Sequence, residues 1–369
     1  MVRVKDITAV MERWAPRDLA WEKDNVGLQV GGPEARVRRV LVGLDPTESL
    51  VHEAARKHAD LIITHHPLLF TPLRNLNTST AQGRILAALI GSGRTLYSAH
   101  TNLDFAPGGT SFALGGVLGL REMRFLTQQA RTYRKVVTFV PADAADAVAG
   151  AMAAAGGGTI GNYDACSFRT QGTGTFRGNA RSSPRVGKRG RIEHVEEIRL
   201  EMLVDQRNLP AVLGAMRQTH PYEEVAYDVY TLENIHPGTG MGAIGVLRTP
   251  LSSAAFLRRV RTALRAGSLR YTHGRPARIR TVAVCGGAGR GLLQEAIASG
   301  ADAFVTADVH YHDYQDAAGH IVLIDAGHYE TEIPVVNAIV RYLRNALAQS
   351  RMRADVVPAT TRTSTMMSL

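Results

Sequence analysis

Histidine side chains follow two short apolar runs in the first third of the sequence. His65 and His66 come directly after the run Asp60 to Thr64, and His100 follows the next run, with Asp104 four residues later. Such runs predict buried strands of a parallel sheet, whose carboxyl ends share the edge at which open α/β sheets bind ligands. Neighbouring side chains on a regular strand face opposite ways, so His65 and His66 can serve one site only if the backbone turns there.

The last third of the sequence repeats this design. His328 follows the run Val322 to Asp325, and if it opens a helix, Glu332 lies on the same helix face. Two ligands at this spacing hold the metal ion in HExxH helices. Asp308 to His312 forms a further cluster after the run Ala303 to Thr306.

Each of these groups alone suits solvated surface side chains equally well, but their repetition at four strand ends favours a metal site. Nitrogen and carboxylate ligands without thiolates suit Zn, Mn, Fe or Co. The ligand set exceeds the four positions of a structural zinc, so it indicates two divalent ions. Such a pair binds substrate oxygens and activates water near neutral pH.

Composition narrows the class of protein. The chain has 369 residues, enough for two domains or three small ones, and with 45% hydrophobic and 21% charged residues it predicts a soluble globular protein. The longest run without charged residues is too short and too glycine-rich for a membrane span. With no apolar leader and only Cys166 and Cys285, the sequence argues against export, a disulfide framework or a thiolate metal site. We expect a cytoplasmic protein that does not enter membranes.

The net charge of +10 is local in origin. Residues 167–191 contain seven basic residues and residues 234–294 contain ten, and neither stretch contains an acid. Such patches attract polyanions, whether a nucleoside triphosphate or nucleic acid. The arginine-rich, alanine- and glycine-rich composition equally suits a bias in genome composition, so charge alone identifies no site.

Predicted strands and helices alternate in the first and last thirds of the chain, which contain these histidines and carboxylates. The middle of the chain repeats a unit of strand, helix and strand. The alternation indicates a largely parallel sheet covered by helices, and the middle pattern indicates a ferredoxin-like sandwich. We therefore predict an α/β metal-binding domain in two segments, residues 1–130 and 246–369, with an inserted ferredoxin-like α+β domain at 131–245. The stretch Gly172 to Gly190 is expected to be a loop, and Tyr329 to Gln349 a single long helix.

A glycine-rich turn, Cys285 to Gly291, follows one of the predicted strands. Glycines there expose backbone N–H groups that can bind phosphate. The run lacks both Gly-Lys-Ser/Thr and a full G-x-G-x-x-G, which favours a tight turn from strand to helix over a nucleotide loop.

Several longer motifs occur at these positions. In the outer segments they are Asp24 to Gly31, Ile63 to Leu68, His100 to Asp104 and Asp325 to Glu332. In the middle they are Cys166 to Arg169, Gly172 to Arg177, His220 to Glu224 and Gly240 to Gly242. Together they resemble the Nif-three-like family, whose bacterial members carry the name type 2 homologues of GTP cyclohydrolase I. The insert is similar to the nitrogen-regulatory and copper-tolerance folds of the longer members, although Val186 to Arg191 is basic where related inserts tend to be acidic.

The resemblance implies a dinuclear metal site and its ligands. The ligand positions are His65, His66, Asp104, His328 and Glu332, with Glu332 or Asp104 bridging the two ions. The resemblance also implies a toroidal homohexamer whose sites face an internal cavity.

The function predicted from these features is a metal-dependent hydrolase of a nucleotide-like anion. The family name suggests opening of the GTP imidazole ring with loss of formate, with His100 or His312 moving protons. Two alternatives stay open: a metal-binding regulatory or partner-binding hexamer without turnover, and a ring that binds nucleic acid through its arginine-rich loops.

Overall fold

The structure, a computed structural model, describes residues 1–130, 133–273 and 278–366. The chain forms two compact units, which are Met1–Gln128 together with Gly238–Leu369, and Gln129–Pro237. The mixed α/β class is confirmed. The domain limits at 131 and 245 stay predictions: residue 131 lies outside the described residues, and residue 245 falls within a strand of the larger unit.

The first sheet of the larger unit has the strand order β1-β4-β3-β2-β15. Its strands are β1 (Gly27–Val30), β2 (Arg39–Gly43), β3 (Leu61–Thr64), β4 (Thr95–Ser98) and β15 (Asp355–Pro358). β15, β2, β3 and β4 are parallel, while β1 pairs antiparallel with β4. The central strands β2, β3 and β4 are almost entirely buried, which matches their continuous apolar sequences.

The second sheet of this unit has the order β11-β14-β13-β12-β10-β5. Its strands are β5 (Leu120–Ala130), β10 (Ile235–Ser252), β11 (Arg270–Tyr271), β12 (Arg278–Val284), β13 (Ala303–Thr306) and β14 (Val322–Asp325). β12, β13 and β14 are parallel. The two chain segments exchange edge strands, because β15 from the second segment completes the first sheet and β5 from the first segment completes the second.

Helices cover both faces of each sheet. They are α1 (Val4–Trp14), α2 (Glu48–Arg56), α3 (Ala81–Gly91), α4 (Thr101–Asp104), α5 (Thr110–Val117), α8 (Ser253–Leu264), α9 (Leu293–Ala298), α10 (Tyr311–Ala317), α11 (His328–Glu332) and α12 (Pro334–Gln349). The apolar stripe of α12, including Ile339, Leu343 and Leu347, packs with α1 in the core of the first sheet. α5 and α8 cover the second sheet with Leu114, Phe256 and their neighbours. Among the described residues, no helix has the length and apolar character needed to cross a lipid bilayer.

The smaller unit is one antiparallel sheet with two helices. Its strands are β6 (Tyr133–Val140), β7 (Ser167–Arg177), β8 (Ile192–Asp205) and β9 (Tyr227–Thr231), and its helices are α6 (Ala145–Ala154) and α7 (Leu209–Thr219). The sheet order is β7-β8-β6-β9, and each neighbouring pair is antiparallel. Apolar side chains of both helices, such as Val148 and Val212, form the core with β6 and β8.

Two local expectations were wrong. The predicted loop begins as a strand, because Gly172 to Arg177 continues β7 and pairs with β8. The predicted long helix is divided, because Pro334 starts α12 as its first residue and separates it from the short α11. Pro lacks the N–H that a continuous helix would need at this position, so the chain starts a new helix there.

The polypeptide leaves and re-enters the larger unit at neighbouring points. β5 and β10 lie side by side, and the Thr127 hydroxyl donates to the Met241 carbonyl across 3.4 Å.

Replacing residues 129–237 with a short Gly/Ser linker is therefore expected to leave a soluble protein with a cooperative thermal transition. Size-exclusion chromatography and a melting curve measure this outcome. Persistent insolubility across several linker lengths would mean that the smaller unit is needed for the larger one to fold.

Candidate metal centre

The carboxyl ends of the parallel strands in the two sheets of the larger unit meet at one place. From the first sheet, His65 and His66 follow β3 and His100 follows β4. From the second sheet, His328 follows β14 and opens α11. The rings of His66 and His328 lie 5.5 Å apart between centroids, so side chains from the two sheets are neighbours. The site therefore requires both chain segments.

A bend after β3 lets the adjacent histidines share one site. The His66 N–H donates to the Leu44 carbonyl, and the His66 carbonyl accepts from the hydroxyls of Thr64 and Ser98. These bonds replace the regular ladder, and the two imidazole centroids lie 5.1 Å apart. The turn required by the sequence argument is present.

Oxygen acceptors orient the two histidines after β3 through Nδ1, the ring nitrogen that faces away from the cluster. His65 Nδ1 lies 2.8 Å from the Ala99 carbonyl oxygen and His66 Nδ1 lies 2.6 Å from Asp45 Oδ1. Because Nδ1–H donates to these oxygens, each ring turns Nε2 toward the site.

The other two histidines of the cluster are held in the same way by carboxylates. His100 Nδ1 lies 3.0 Å from Asp24 Oδ1, and His328 Nδ1 lies 2.7 Å from Asp308 Oδ2. Metal-binding histidines characteristically donate their second N–H to such an oxygen, which fixes the tautomer and the ring orientation.

The inward atoms form two overlapping groups. One contains His65, His66 and His100 and the other contains His66, His328 and Glu332, with the ligand atoms of each group within 4.8 Å of one another. Asp104 Oδ1 lies 3.6 Å from His65 Nε2. Two groups that share His66 provide more donors than one tetrahedral ion takes.

Two buried atoms of this cluster have no hydrogen-bond partner among the described residues, His65 Nε2 and Glu332 Oε2. Glu332 Oε2 lies 3.0 Å from His66 Nε2 and 3.2 Å from His328 Nε2. Unpaired buried acceptors are costly, and a cation among them would satisfy every lone pair. The donor chemistry thus fits a divalent metal ion that prefers nitrogen and carboxylate ligands.

The cluster also shifts the pKa values of its own members. Burial lowers the pKa of His65 and raises the pKa of the Asp104 carboxyl. Burial opposes the charge on His66, but Asp45 and Glu332 outweigh it and raise the pKa of His66 to about 10. For Glu332, His328 and His66 outweigh burial and hold the pKa of the carboxyl well below its usual range. Cation binding here therefore competes with protons.

The glycine-rich turn after β12 presses against the carboxylate of Glu332. Gly287 has φ +62°, and a Cβ at this position would collide with Glu332 Oε1. The N–H groups of Gly286, Gly287 and Gly289 donate to Ser111, Thr331 and Thr306. These three N–H groups are used within the protein, so the turn does not form a phosphate loop. The turn packs against Glu332 and supports it.

The structure brings together the six predicted side chains His65, His66, His100, Asp104, His328 and Glu332. His312 is different: it is exposed on α10, its Nδ1 lies 3.2 Å from Gln315 Oε1, and it belongs to neither group of potential ligands. Its assignment to proton transfer stays a prediction.

The sequence did not identify the carboxylates that accept hydrogen bonds from Nδ1 of the histidines. Asp45 follows β2, and Asp308, with φ +55°, follows β13. Asp24 entered the sequence argument only as part of a motif, and Asp308 only as part of the cluster Asp308 to His312. Asp45 and Asp308 each lie just after a strand, as the histidines do, whereas Asp24 precedes β1.

Comparisons with known proteins agree over nearly the whole chain. The model of the family described as Duf34/NIF3 (NGG1p interacting factor 3) matches residues 2–364. A protein of Halalkalibacterium halodurans named GTP cyclohydrolase 1 type 2 homolog is 37% identical over 97% of this chain and 96% of its own length. A Mycobacterium tuberculosis protein with the same name is 37% identical over 95% of this chain and 93% of its own length.

Solved structures give the same result. The crystal structure of a Bacillus cereus protein related to NIF3 has a TM-score of 0.78 and 36% identity, and covers 100% of this chain and 99% of its own. The Staphylococcus aureus protein SA1388 has a TM-score of 0.80 and 28% identity over the same shares of the two chains.

Glu332→Gln and Glu330→Gln provide a matched comparison on one helix. Gln at 332 removes the charge between the rings of His66 and His328, so metal affinity should fall by about 100-fold or more. Glu330 accepts from Arg362 at 2.9 Å, and Gln at 330 keeps an acceptor oxygen, so metal binding should stay near wild type. Isothermal titration calorimetry with Zn²⁺ and Mn²⁺ measures both. Equal losses would contradict the assignment of Glu332.

Gly287→Ala tests the support of Glu332 by the turn. An alanine there carries a backbone cost of about 1 kcal/mol and displaces the Glu332 carboxylate, so metal affinity should drop by about 10-fold or more. Gly291→Ala is the control, because a Cβ there meets no atom within 4 Å. Metal titration measures the affinity of both variants. Wild-type affinity in Gly287→Ala would show that the close contact between Gly287 and the Glu332 carboxylate is unimportant for metal binding.

Proposed function

The chain belongs to the Duf34/NIF3 family, and we propose that it is a hydrolase that uses two divalent metal ions to act on a nucleotide-like anion. The observation that carries the proposal is the convergence of four imidazoles, each held from behind by an oxygen, around the unpaired Glu332 Oε2. A cluster built only for stability would lose free energy by leaving such lone pairs unsatisfied.

The residues that would hold the ions are His65, His66, Asp104, His328 and Glu332. Bound divalent ions supply Lewis-acid activation of water and of a substrate oxygen. Zn, Mn, Fe and Co all suit this donor set.

His100 is the residue that we assign to proton transfer. Asp24 holds its Nδ1, and the Asp24 carboxylate also accepts from the backbone N–H and the hydroxyl of Thr101. With the ring orientation fixed in this way, the other ring nitrogen is available to accept or donate a proton beside the ions.

Phe70 supports a substrate with a planar ring. Its side chain is 53% exposed, and its ring centroid lies 6.3 Å from that of His100 in an edge-to-face arrangement. An exposed aromatic face next to a reactive centre suits stacking with a nucleobase. The relatives' name, GTP cyclohydrolase 1 type 2 homolog, suggests the specific reaction, the opening of a guanine ring with loss of formate.

A second candidate is a metal-binding regulatory protein without turnover, and a cavity of the smaller unit favours it. The cavity measures about 630 Å³ and is lined by Phe139, Arg177, Arg199 and Tyr222, among others. Its size and mixed lining suit a small ligand. The basic residues of 167–191 leave nucleic-acid binding as a third candidate, which salt-dependent binding of an oligonucleotide would reveal.

The proposal also covers the fold of the smaller unit, the oligomeric state and the cellular location. We propose that the smaller unit is a ferredoxin-like insert, supported by its split βαβ order β7-β8-β6-β9. We also propose a toroidal homohexamer and a cytoplasmic location, both of which rest on the family resemblance and the sequence.

Metal analysis combined with a nucleotide screen tests the proposed function. We expect about two divalent ions per chain, and formate release from GTP in the presence of Mn²⁺ or Zn²⁺. His65→Ala with His66→Ala should abolish both, whereas His312→Ala, which alters an exposed histidine outside the cluster, should retain the metal. A double variant with full metal content would refute the site. Full metal content without turnover of any nucleotide would favour the regulatory candidate.

A further inference from the structure

A segment near residue 360 reaches the candidate metal centre along the edge of the first sheet. β15 runs parallel to β2, with Pro358 opposite Val42, and the next N–H, of Ala359, donates to the Val42 carbonyl at 2.7 Å. Because the two strands run in the same direction, residues 360–363 arrive at the same sheet edge as Asp45, which follows β2.

A buried carboxylate anchors the beginning of this segment. Glu53 is fully buried, and its Oε1 accepts from both the N–H and the hydroxyl of Thr360 at 2.8 Å, while its Oε2 accepts from the Thr361 N–H at 2.8 Å. Lys57 lies 2.6 Å from Glu53 Oε1 and balances its charge. The anchor fixes the backbone that carries the next two residues.

Arg362 and Thr363 contact residues that surround the proposed metal ligands. The hydroxyl of Thr363, which is buried, donates to Asp45 Oδ2, while the other oxygen of Asp45 holds Nδ1 of His66. Arg362 donates to Glu330 on α11 and lies over the ring of Tyr329, with 5.4 Å between its Cζ and the ring centroid. One segment thus holds both the support of His66 and the helix that carries His328 and Glu332.

We propose that Thr363 is a positioning residue of the metal centre: its hydroxyl fixes the Asp45 carboxylate, which in turn orients the His66 imidazole toward the ions. A carboxylate that accepts a single hydrogen bond can rotate, whereas one held at both oxygens has one orientation. His66 belongs to both groups of potential ligands, so a change in its orientation moves its Nε2 relative to the members of both groups. This inference rests on the proposed metal site and adds to its support a residue from the segment that follows β15.

The test compares three variants of the full-length protein. Thr363→Val keeps the shape and removes the hydroxyl, Thr363→Ser keeps the hydroxyl, and Thr365→Val makes the same change two residues away, at an exposed side chain. The measurements are Zn²⁺ affinity by calorimetry, the visible absorption spectrum of the Co²⁺-loaded protein, and the melting temperature of the metal-free protein.

We expect Thr363→Val to weaken Zn²⁺ binding by about 10- to 100-fold and to change the Co²⁺ spectrum, as the loss of a group that orients a ligand does. Thr363→Ser should restore affinity to within a few fold of wild type, and Thr365→Val should have little effect. A double-mutant cycle with Asp45→Asn should be strongly non-additive, because both changes interrupt the same chain of contacts. This cycle stays informative if Thr363→Val also lowers the melting temperature.

Wild-type affinity and spectrum in Thr363→Val would overturn the inference and leave the metal site intact. Equal losses in Thr363→Val and Thr365→Val, or additivity with Asp45→Asn, would also overturn it, because they would indicate a general loosening of the segment. A wild-type protein that binds neither Zn²⁺ nor Co²⁺ would instead remove the proposed function itself, so the two failures are distinguishable.

Discussion

The buried carboxylate of Glu332 is the group on which the arrangement of the larger unit depends. Its side chain is almost completely removed from water, and one of its oxygens points at two imidazole nitrogens without hydrogen-bonding to them. A carboxylate in such a place is tolerated only when positive charge is close by. The convergence of two sheet edges, the division between α11 and α12 and the glycine at 287 all serve to put this group beside His66 and His328.

Around that carboxylate the protein forms a second layer of oxygen atoms. Asp24, Asp45 and Asp308 each hold one histidine, and the Ala99 carbonyl holds the fourth. Each of the three carboxylates follows or precedes a different strand, so the layer is distributed over both sheets. Small shifts of one sheet against the other would therefore change ring orientation before they broke any strand pairing, which makes the centre sensitive to the packing between the sheets.

Much of the site could be predicted because its ligands lie where strands end. An apolar run followed by histidine is visible in the sequence, and the spacing from His328 to Glu332 correctly indicates a helix that starts at His328. Asp45 and Asp308 also follow strands, but this position did not reveal their role as hydrogen-bond acceptors, since an aspartate after a strand is also a common turn residue. The exposed position of His312 could not be recognised either, because its sequence setting resembles that of the true cluster members. The strand β7 was hidden by its glycines and by its exposure on both faces, which removes the alternation that marks a strand.

The exchange of edge strands has a consequence for how the chain acquires its structure. Arg39 in β2 and Asp355 in β15 are paired although 316 residues separate them. Contacts of such long sequence separation form late, because closing a loop of this length costs entropy before any pairing repays it. During synthesis on the ribosome, one side of β2 therefore stays without its partner strand until β15 has emerged. The same step delivers residues 360–363 to Asp45, so a chain cut short before β15 would expose an open sheet edge and lack a finished site at once, a condition that favours its recognition by chaperones and proteases.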